Sequence, residues 1–493
     1  MFILLIILIP FVLSLLALAI KKEKILGIIN AFGYAILFGM CLLFTKNFIS
    51  GGSVPINLWK TFYIDSLSVF FILTTAIVAL AASIYSVGYI GVEVKEGVIS
   101  ARKAGGYFHL FNLFCFTMLV VPLLNNLAMV WITIEMTTLV SAFLVGFHNV
   151  KESIEAAWKY IIICSVGITF ALLGVIFFYY TSSVNAGINS LNWTRMIEGA
   201  HLFDHNVVKI AFLFIIVGYG TKAGLAPMHN WLPDAHSQAL SPISGLLSGV
   251  LLKISLYAIL RFVILANIAL GYAFCSKLLI IFGLFSVAVA AGFILVQRDL
   301  KRLLAYSSVE NIGLATLGIG LGPYGGIFAG LLHIFNHAVV KAFMFFCAGE
   351  AVRVYRTNSI FKIRGMLQCM PFTAVAMFLG LFALVGLPPF AIFISKLSII
   401  ISAFKGRYYF VSALMLIFIA LAFAGLLHHI TRVILGNKPQ TVERPKELLS
   451  TKIALLFLGI FILGLGLWTP PVFCDLLTNC QKIIFSFAEN PGH

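Results

Sequence analysis

Apolar runs of about twenty residues, the length that crosses the roughly 30 Å hydrocarbon core of a bilayer as a helix, recur along almost the whole of this 493-residue chain. Little polar sequence separates them. The longest polar connection, 181–206, leaves no room for a soluble domain. Charged residues make up only 10% of the chain, against about a quarter in soluble domains. The fold class is therefore expected to be an all-α polytopic membrane protein. Apolar periodicity and its breaks predict about fourteen transmembrane helices, at 2–20, 26–45, 64–89, 107–124, 126–147, 157–180, 207–232, 239–267, 274–296, 302–321, 324–350, 372–404, 409–436 and 452–470. The first apolar run precedes Lys21, Lys22 and Lys24 instead of following them, which is the pattern of a retained helix, not of a cleaved signal.

The net charge of +16 is read as orientation, with no nucleic-acid partner. Placing the N-terminus outside leaves twenty cations in inner loops, among them Lys95, Lys159, Arg298, Lys301, Arg302, Arg353, Arg356 and Arg444, and eight in outer segments. By the positive-inside rule both termini face the periplasmic or outer side of the cell inner (plasma) membrane. The eight cysteines are scattered and form no C-x-x-C pair, so neither an iron–sulfur centre nor a zinc site is expected, and no cofactor is assigned to the chain.

Two predicted spans are interrupted, at GLAPMHNWLP in the seventh and GLPPFAIF in the twelfth. Proline removes a helical donor, and the carbonyls it frees must face protein or water. Paired broken helices point to a transport site built from repeats. The charges support this: Glu135 and Glu310 are 175 residues apart, Lys222 and Lys396 174, Lys253 and His428 175. The expected organisation is N-terminal helices over 1–106, two inverted five-helix repeats over 107–267 and 268–436, each with a broken helix, and a last helix with a short tail over 437–493.

Ionisable residues within spans are rare and commonly face a bundle interior or a hydrated path. Glu135 is the sole charge of its span; it is either a protonated carboxyl bonded to Thr133 or Thr138, or part of such a path. Burial disfavours a lysine's charged form and a nearby carboxylate restores it. At about 4 Å and an effective dielectric near 20, a Glu135–Lys222 pair is worth roughly 4 kcal/mol, enough for its separation to decide whether Lys222 keeps its proton. Lys253, near mid-span, is either a snorkelling lysine or the next acceptor. His333, His337 and Lys341 follow at i, i+4 and i+8 and share a helix face. They read as a relay, as packed core groups, or, for the histidines, as a metal pair that lacks further ligands nearby. Lys396 follows the second break. Glu310 and His428 are candidate connecting groups, and His229, Asp234 and His236, beyond the first break, are candidates for gating or uptake. Asp65 reads as an interfacial or helix-start residue.

The stretches GTKAGLAPMHNWLPDAHSQALSP, VQRDLKRLLAYSSVENIGL and GLPPFAIFISK resemble the antiporter-like subunits shared by respiratory complex I, Mrp-type cation/proton antiporters and membrane-bound group 4 hydrogenases. FHLFNLFCFTMLV, SAFLVGF, EAAWKYIIICSVG and GMLQCMPFTAV are most similar to the hydrogenase-4 component F type. The resemblance covers about residues 65 to 432. It implies a fourteen-helix inverted-repeat fold and a central proton path through the positions held here by Glu135, Lys222, Lys253, His333, His337, Lys341 and Lys396. It further implies a proton-translocating membrane subunit of a multisubunit oxidoreductase, with other membrane and redox subunits, the lipid bilayer and protons, with Na+ as the alternative ion, as partners. The chain stops soon after Trp468, so the long lateral helix of the distal complex I subunit is not expected. The alternatives are an Mrp-type Na+/H+ antiporter subunit and a membrane partner in energised inorganic-carbon uptake.

Overall fold

The structure is a computed structural model describing all residues except 1, 21, 323–324, 440–441, 443–445 and 486–493; two of the counted cations, Lys21 and Arg444, lie outside the described residues. Helices α1 (Phe2–Ala19) and α2 (Glu23–Ser50) lead to a hairpin of β1 (Ile56–Leu58) and β2 (Phe62–Ile64), then α3 (Ser66–Lys95) and α4 (Ala101–Val120). Next come α5 (Leu127–Val145), α6 (Lys151–Ala186), a short α7 (Trp193–Gly199), α8 (His205–Ala223), α9 (Trp231–Gln238), α10 (Ser241–Leu246) and α11 (Leu252–Leu270). The chain continues through α12 (Tyr272–Val296), α13 (Leu300–Gly320), α14 (Gly326–Tyr355), one-turn α15 (Met366–Cys369), α16 (Pro371–Val385), α17 (Ala391–Lys405), α18 (Tyr409–Leu435), α19 (Leu449–Leu467) and α20 (Pro471–Phe485).

The protein is an all-helical membrane protein apart from the two-stranded hairpin. Among the described residues, eleven helices are long and apolar enough to cross a membrane, and α1 and α16 are shorter apolar helices. Helix α13 is not among the eleven, because Lys301, Arg302, Glu310 and Asn311 lower its hydropathy. Residues that bond their own helix start set the boundaries: Asp65, Asn126, Asp204 and Asp299 each accept from a backbone N–H of the first turn, satisfying donors that have no partner within the helix.

Helices α3, α10–α11 and α14 form the centre and are buried on nearly all sides. The outer helices turn Phe32, Phe143, Trp158, Phe285 and Ile460 outwards, as lipid-facing surfaces require. The cations Lys159, Arg302 and Arg356 meet Asp234 and Glu96 at one end of the bundle, here the cation-rich end.

Two features were not legible, helix α20 and the partner of Asp65. The tail expected after residue 470 contains α20, whose Phe473, Leu476, Leu477 and Ile484 bury against the core. At fifteen residues its apolar face is too short to read as a span. Asp65 caps α3 as expected, and its carboxylate also takes a bidentate pair from Arg261 of α11, at 2.6 and 2.8 Å. The guanidinium lies 4.5 Å from the Trp193 ring centre and donates to Tyr257 Oη at 2.9 Å. A buried pair of this kind is costly to break, because the survivor is left as an uncompensated charge. Asp65→Ala is therefore expected to destabilise the protein by about 3–5 kcal/mol, read as a lowered thermal unfolding midpoint in detergent. An unchanged midpoint would show that this pair does not fasten α3 to α11.

Candidate functional site

Most of the ionisable residues singled out in the sequence are buried within the bundle; Glu135 and Asp234 are only partly covered, and His428 is exposed. At one side, α8 ends after Lys222, and Gly224 turns the chain with φ +81° into the break. The freed groups are satisfied by buried side chains: Trp231 Nε1 donates to Thr221 O at 2.8 Å, and Ser286 Oγ accepts from Ala226 N at 2.9 Å. Irregular backbone at membrane depth needs such partners.

Lys222 is wholly buried and donates to Thr138 Oγ1 at 2.8 Å and to Tyr160 Oη at 2.5 Å. Thr138 in turn donates to Glu135 Oε2 at 3.2 Å, and Ser165 Oγ donates to Glu135 Oε1 at 2.6 Å. The expected direct Glu135–Lys222 pair is thus replaced by a hydroxyl bridge. One turn of α5 separates Glu135 from Thr138, so the threonine stands between carboxylate and ammonium. Ser141 Oγ extends the chain to Tyr160 Oη at 2.7 Å.

Lys253 follows a π-helical turn at Leu247–Leu251 and donates to Ser248 O, a carbonyl of that turn. Such turns shift the backbone ladder and recur at functional sites. Ser248 Oγ and Ser308 Oγ are 2.7 Å apart, joining α13 to this point. The lysine is fully buried, which excludes snorkelling.

On α14, His333 and His337 are both fully buried with rings parallel within 7°, their centres 6.2 Å apart. His333 Nδ1 meets Ser395 Oγ at 2.9 Å. Its Nε2, and both ring nitrogens of His337, have no hydrogen-bond partner among the described residues. Among the described residues no third His, Cys, Asp or Glu joins the two histidines as a metal-binding group. Lys341 donates to Leu304 O and, at 2.9 Å, to Ser307 Oγ.

Lys396 forms a direct buried ion pair with Glu310 at 3.0 Å and lies 3.5 and 3.4 Å from the carbonyls of Leu384 and Val385. Those carbonyls are the last of α16, freed where Gly386 turns at φ +86°, and a cation at a helix C-terminus is favoured. Asn336 Nδ2 donates to Ala391 O at 2.8 Å across the break.

The remaining candidates fare differently. Asp234 is held by Lys159 at 3.4 Å and Arg302 at 2.5 Å, tying α9 to α6 and α13. His229 packs against Phe293 and Tyr306, and His236 is fully buried against Phe345. His428 is exposed on α18, beside His429, so the 175-residue offset from Lys253 does not mark an equivalent buried position. The lysine offset is also only approximate in three dimensions: Lys222 precedes its break, whereas Lys396 lies beyond its own. Sequence reasoning missed Tyr160, Ser165, Ser248 and Ser307; a hydroxyl within a predicted span was the signal for each.

A family profile described as NADH:quinone oxidoreductase/Mrp antiporter, TM, matches residues 125–422. The chain is 34% identical to the hydrogenase-4 component F homolog of Methylacidiphilum infernorum, covering 97% of this chain and 99% of that one. It is 25% identical to a Na(+)/H(+) antiporter subunit of Alkalihalophilus pseudofirmus, over 97% and 96%. Among solved structures, a chain of the archaeal membrane-bound sulfane sulfur reductase, a respiratory membrane complex, superposes with a TM-score of 0.88 at 26% identity, over 99% of both chains.

The hydroxyl bridge makes a direct prediction. Thr138→Val leaves the buried Lys222 ammonium one acceptor short, a loss of about 1–3 kcal/mol, while Thr138→Ser keeps the bond. The thermal midpoint should fall for valine and stay near wild type for serine. Equal midpoints for valine and wild type would remove Thr138 from the network.

Proposed function

The chain belongs to the NADH:quinone oxidoreductase/Mrp antiporter transmembrane family, and from that premise we propose that it is the proton-translocating membrane subunit of a multisubunit oxidoreductase of hydrogenase-4-like or NADH:quinone type. The observation that carries this is the set of four fully or nearly fully buried lysines, Lys222, Lys253, Lys341 and Lys396, with His333 and His337 among them. Among the described residues, only Lys396 of the four holds a carboxylate directly. The others are solvated by hydroxyls and single carbonyls, partners that stabilise either protonation state and so allow a proton to leave and return.

In this reading, redox chemistry belongs to partner subunits and no cofactor is assigned to this chain. A change at Glu135 alters the field on Lys222 through Thr138. The proton then moves by Lys253, His337, His333 and Lys341 towards Lys396, whose partner Glu310 completes the second half. The finer architecture belongs to the same proposal: fourteen spans, five-helix inverted repeats over 107–267 and 268–436, and both termini on the outer side of the plasma membrane. The cation-rich end is then the inner end. The relative named as a Na(+)/H(+) antiporter component supports a second reading, exchange of sodium for protons through the same interior.

Membrane vesicles carrying the intact complex test both. Lys222→Met and Glu135→Gln are expected to abolish donor-driven proton uptake while the complex still assembles, as read by co-purification of its subunits. Wild-type uptake in both variants would overturn the assignment, and uptake that requires sodium would favour the antiporter reading.

A further inference from the structure

A second set of buried polar groups lies at the cation-rich end, between α3, α10 and α14. Tyr85 of α3 is fully buried, its ring stacked on Phe346 at 4.5 Å, and its hydroxyl has no hydrogen-bond partner among the described residues. A methyl group on Gly349 would stand 2.6 Å from Tyr85 Oη and 2.5 Å from Ser241 Oγ. Both hydroxyls therefore converge on this glycine. The next residue, Glu350, is 1% exposed; its carboxylate accepts from Thr451 Oγ1 at 2.9 Å and from Arg353 Nη2 at 2.6 Å. Arg353, with Lys95, Glu96 and Glu447, lines a cavity of about 550 Å³.

On the inward side stands His236, whose two ring nitrogens have no hydrogen-bond partner among the described residues. Its ring stacks on Phe345 at 4.9 Å, and Lys341 Nζ lies 5.0 Å from the centre of that same ring. Buried hydroxyl and imidazole groups nearly always take a partner, protein or water. These groups lie between the cavity and Lys341, and the same wall holds Ser244, whose Oγ donates to His236 O at 2.9 Å, and Lys301, whose Nζ donates to Ala239 O at 3.0 Å. The bland alternative is that Glu350 merely clamps α14 to α19 through Arg353 and Thr451. That alternative does not explain why Tyr85 and His236 are buried without partners beside it.

We propose that Glu350 is the proton-loading group at the cation-rich end. It takes a proton from the aqueous phase through the Arg353-lined cavity and passes it by the hydroxyls of Tyr85 and Ser241 to His236 and on to Lys341. Each hydroxyl releases its own proton onwards as it accepts the next, so one proton moves and no electron does. Arg353 holds the carboxylate between transfers. The inference rests on the proton-translocation reading and adds α3 and the end of α14 to the path.

The full chain reconstituted in liposomes tests it, with a valinomycin-set potassium potential driving protons and entrapped pyranine reporting them. Wild-type flux that Lys222→Met abolishes is expected. Tyr85→Phe, which keeps the stacked ring, and Glu350→Gln should each lower that flux at least about tenfold. Glu350→Asp should restore much of it with a displaced pH profile, which a purely structural role would not produce. Lys222-dependent flux left at the wild-type rate by Tyr85→Phe overturns the inference alone, whether or not Glu350→Gln lowers it. A wild-type chain without Lys222-dependent flux overturns both the inference and the reading beneath it.

Discussion

Solvating buried ammonium groups with few carboxylates is the constraint on which the interior of this protein depends. An isolated charge in a medium of low dielectric is prohibitively costly, and among the described residues five buried lysines, four of them on the proposed path, share one bundle here. The structure meets the cost by interrupting helices beside them. Lys222 sits in the last turn of α8, Lys253 bonds a carbonyl of the π turn, and Lys396 faces the terminal carbonyls of α16. Only Lys341 takes its carbonyl, that of Leu304, from a regular helix, with Ser307 completing the site. Broken helices are therefore part of the solvation of Lys253 and Lys396, where a straight helix would have its carbonyls already spent, whereas Lys222 is held by the hydroxyls of Thr138 and Tyr160.

The same constraint gives the two broken-helix sites different characters. In one, a threonine hydroxyl stands between Glu135 and Lys222; in the other, Glu310 touches Lys396 directly. A bridge transmits a change of charge while letting each group keep its own partners, Ser165 and Tyr160. A direct buried pair holds its proton state more firmly, since either partner alone would be uncompensated. Each site carries a glutamate and a lysine at a nearly constant offset from the other, yet the lysines lie on opposite sides of the two breaks, so the match in spacing is not a match in local geometry.

Much of this was legible in the sequence because hydrophobic length and proline–glycine interruptions are local signals. The helices, both breaks and the buried lysines and histidines follow from them, and the stretches carrying those residues identify the family. What stayed hidden depends on three-dimensional partners. The π turn before Lys253 has no compositional mark, since LSGVL reads as ordinary helix. Arg261 was visibly a cation near a span end, but its acid, Asp65, is 196 residues away. His428 matched by spacing and faces outwards, because an offset fixes position along a helix without fixing which face is buried.

Glu135 differs from Glu310 in one further respect that bears on assembly. Glu310 is buried, whereas Glu135 is only partly covered, on a face of α5 that also presents Met129, Ile132, Met136 and Leu139. A carboxylate left against lipid at this depth is costly, and its two hydroxyl donors, Thr138 and Ser165, come from within the chain. Covering this face with another protein surface removes that cost and places the neighbour's charges against the one acidic group that reaches Lys222. The position of Glu135 thus gives a physical reason for the proposed coupling to run through a partner protein: the first carboxylate of the path is shared between the bundle interior and the surface on which a partner would sit.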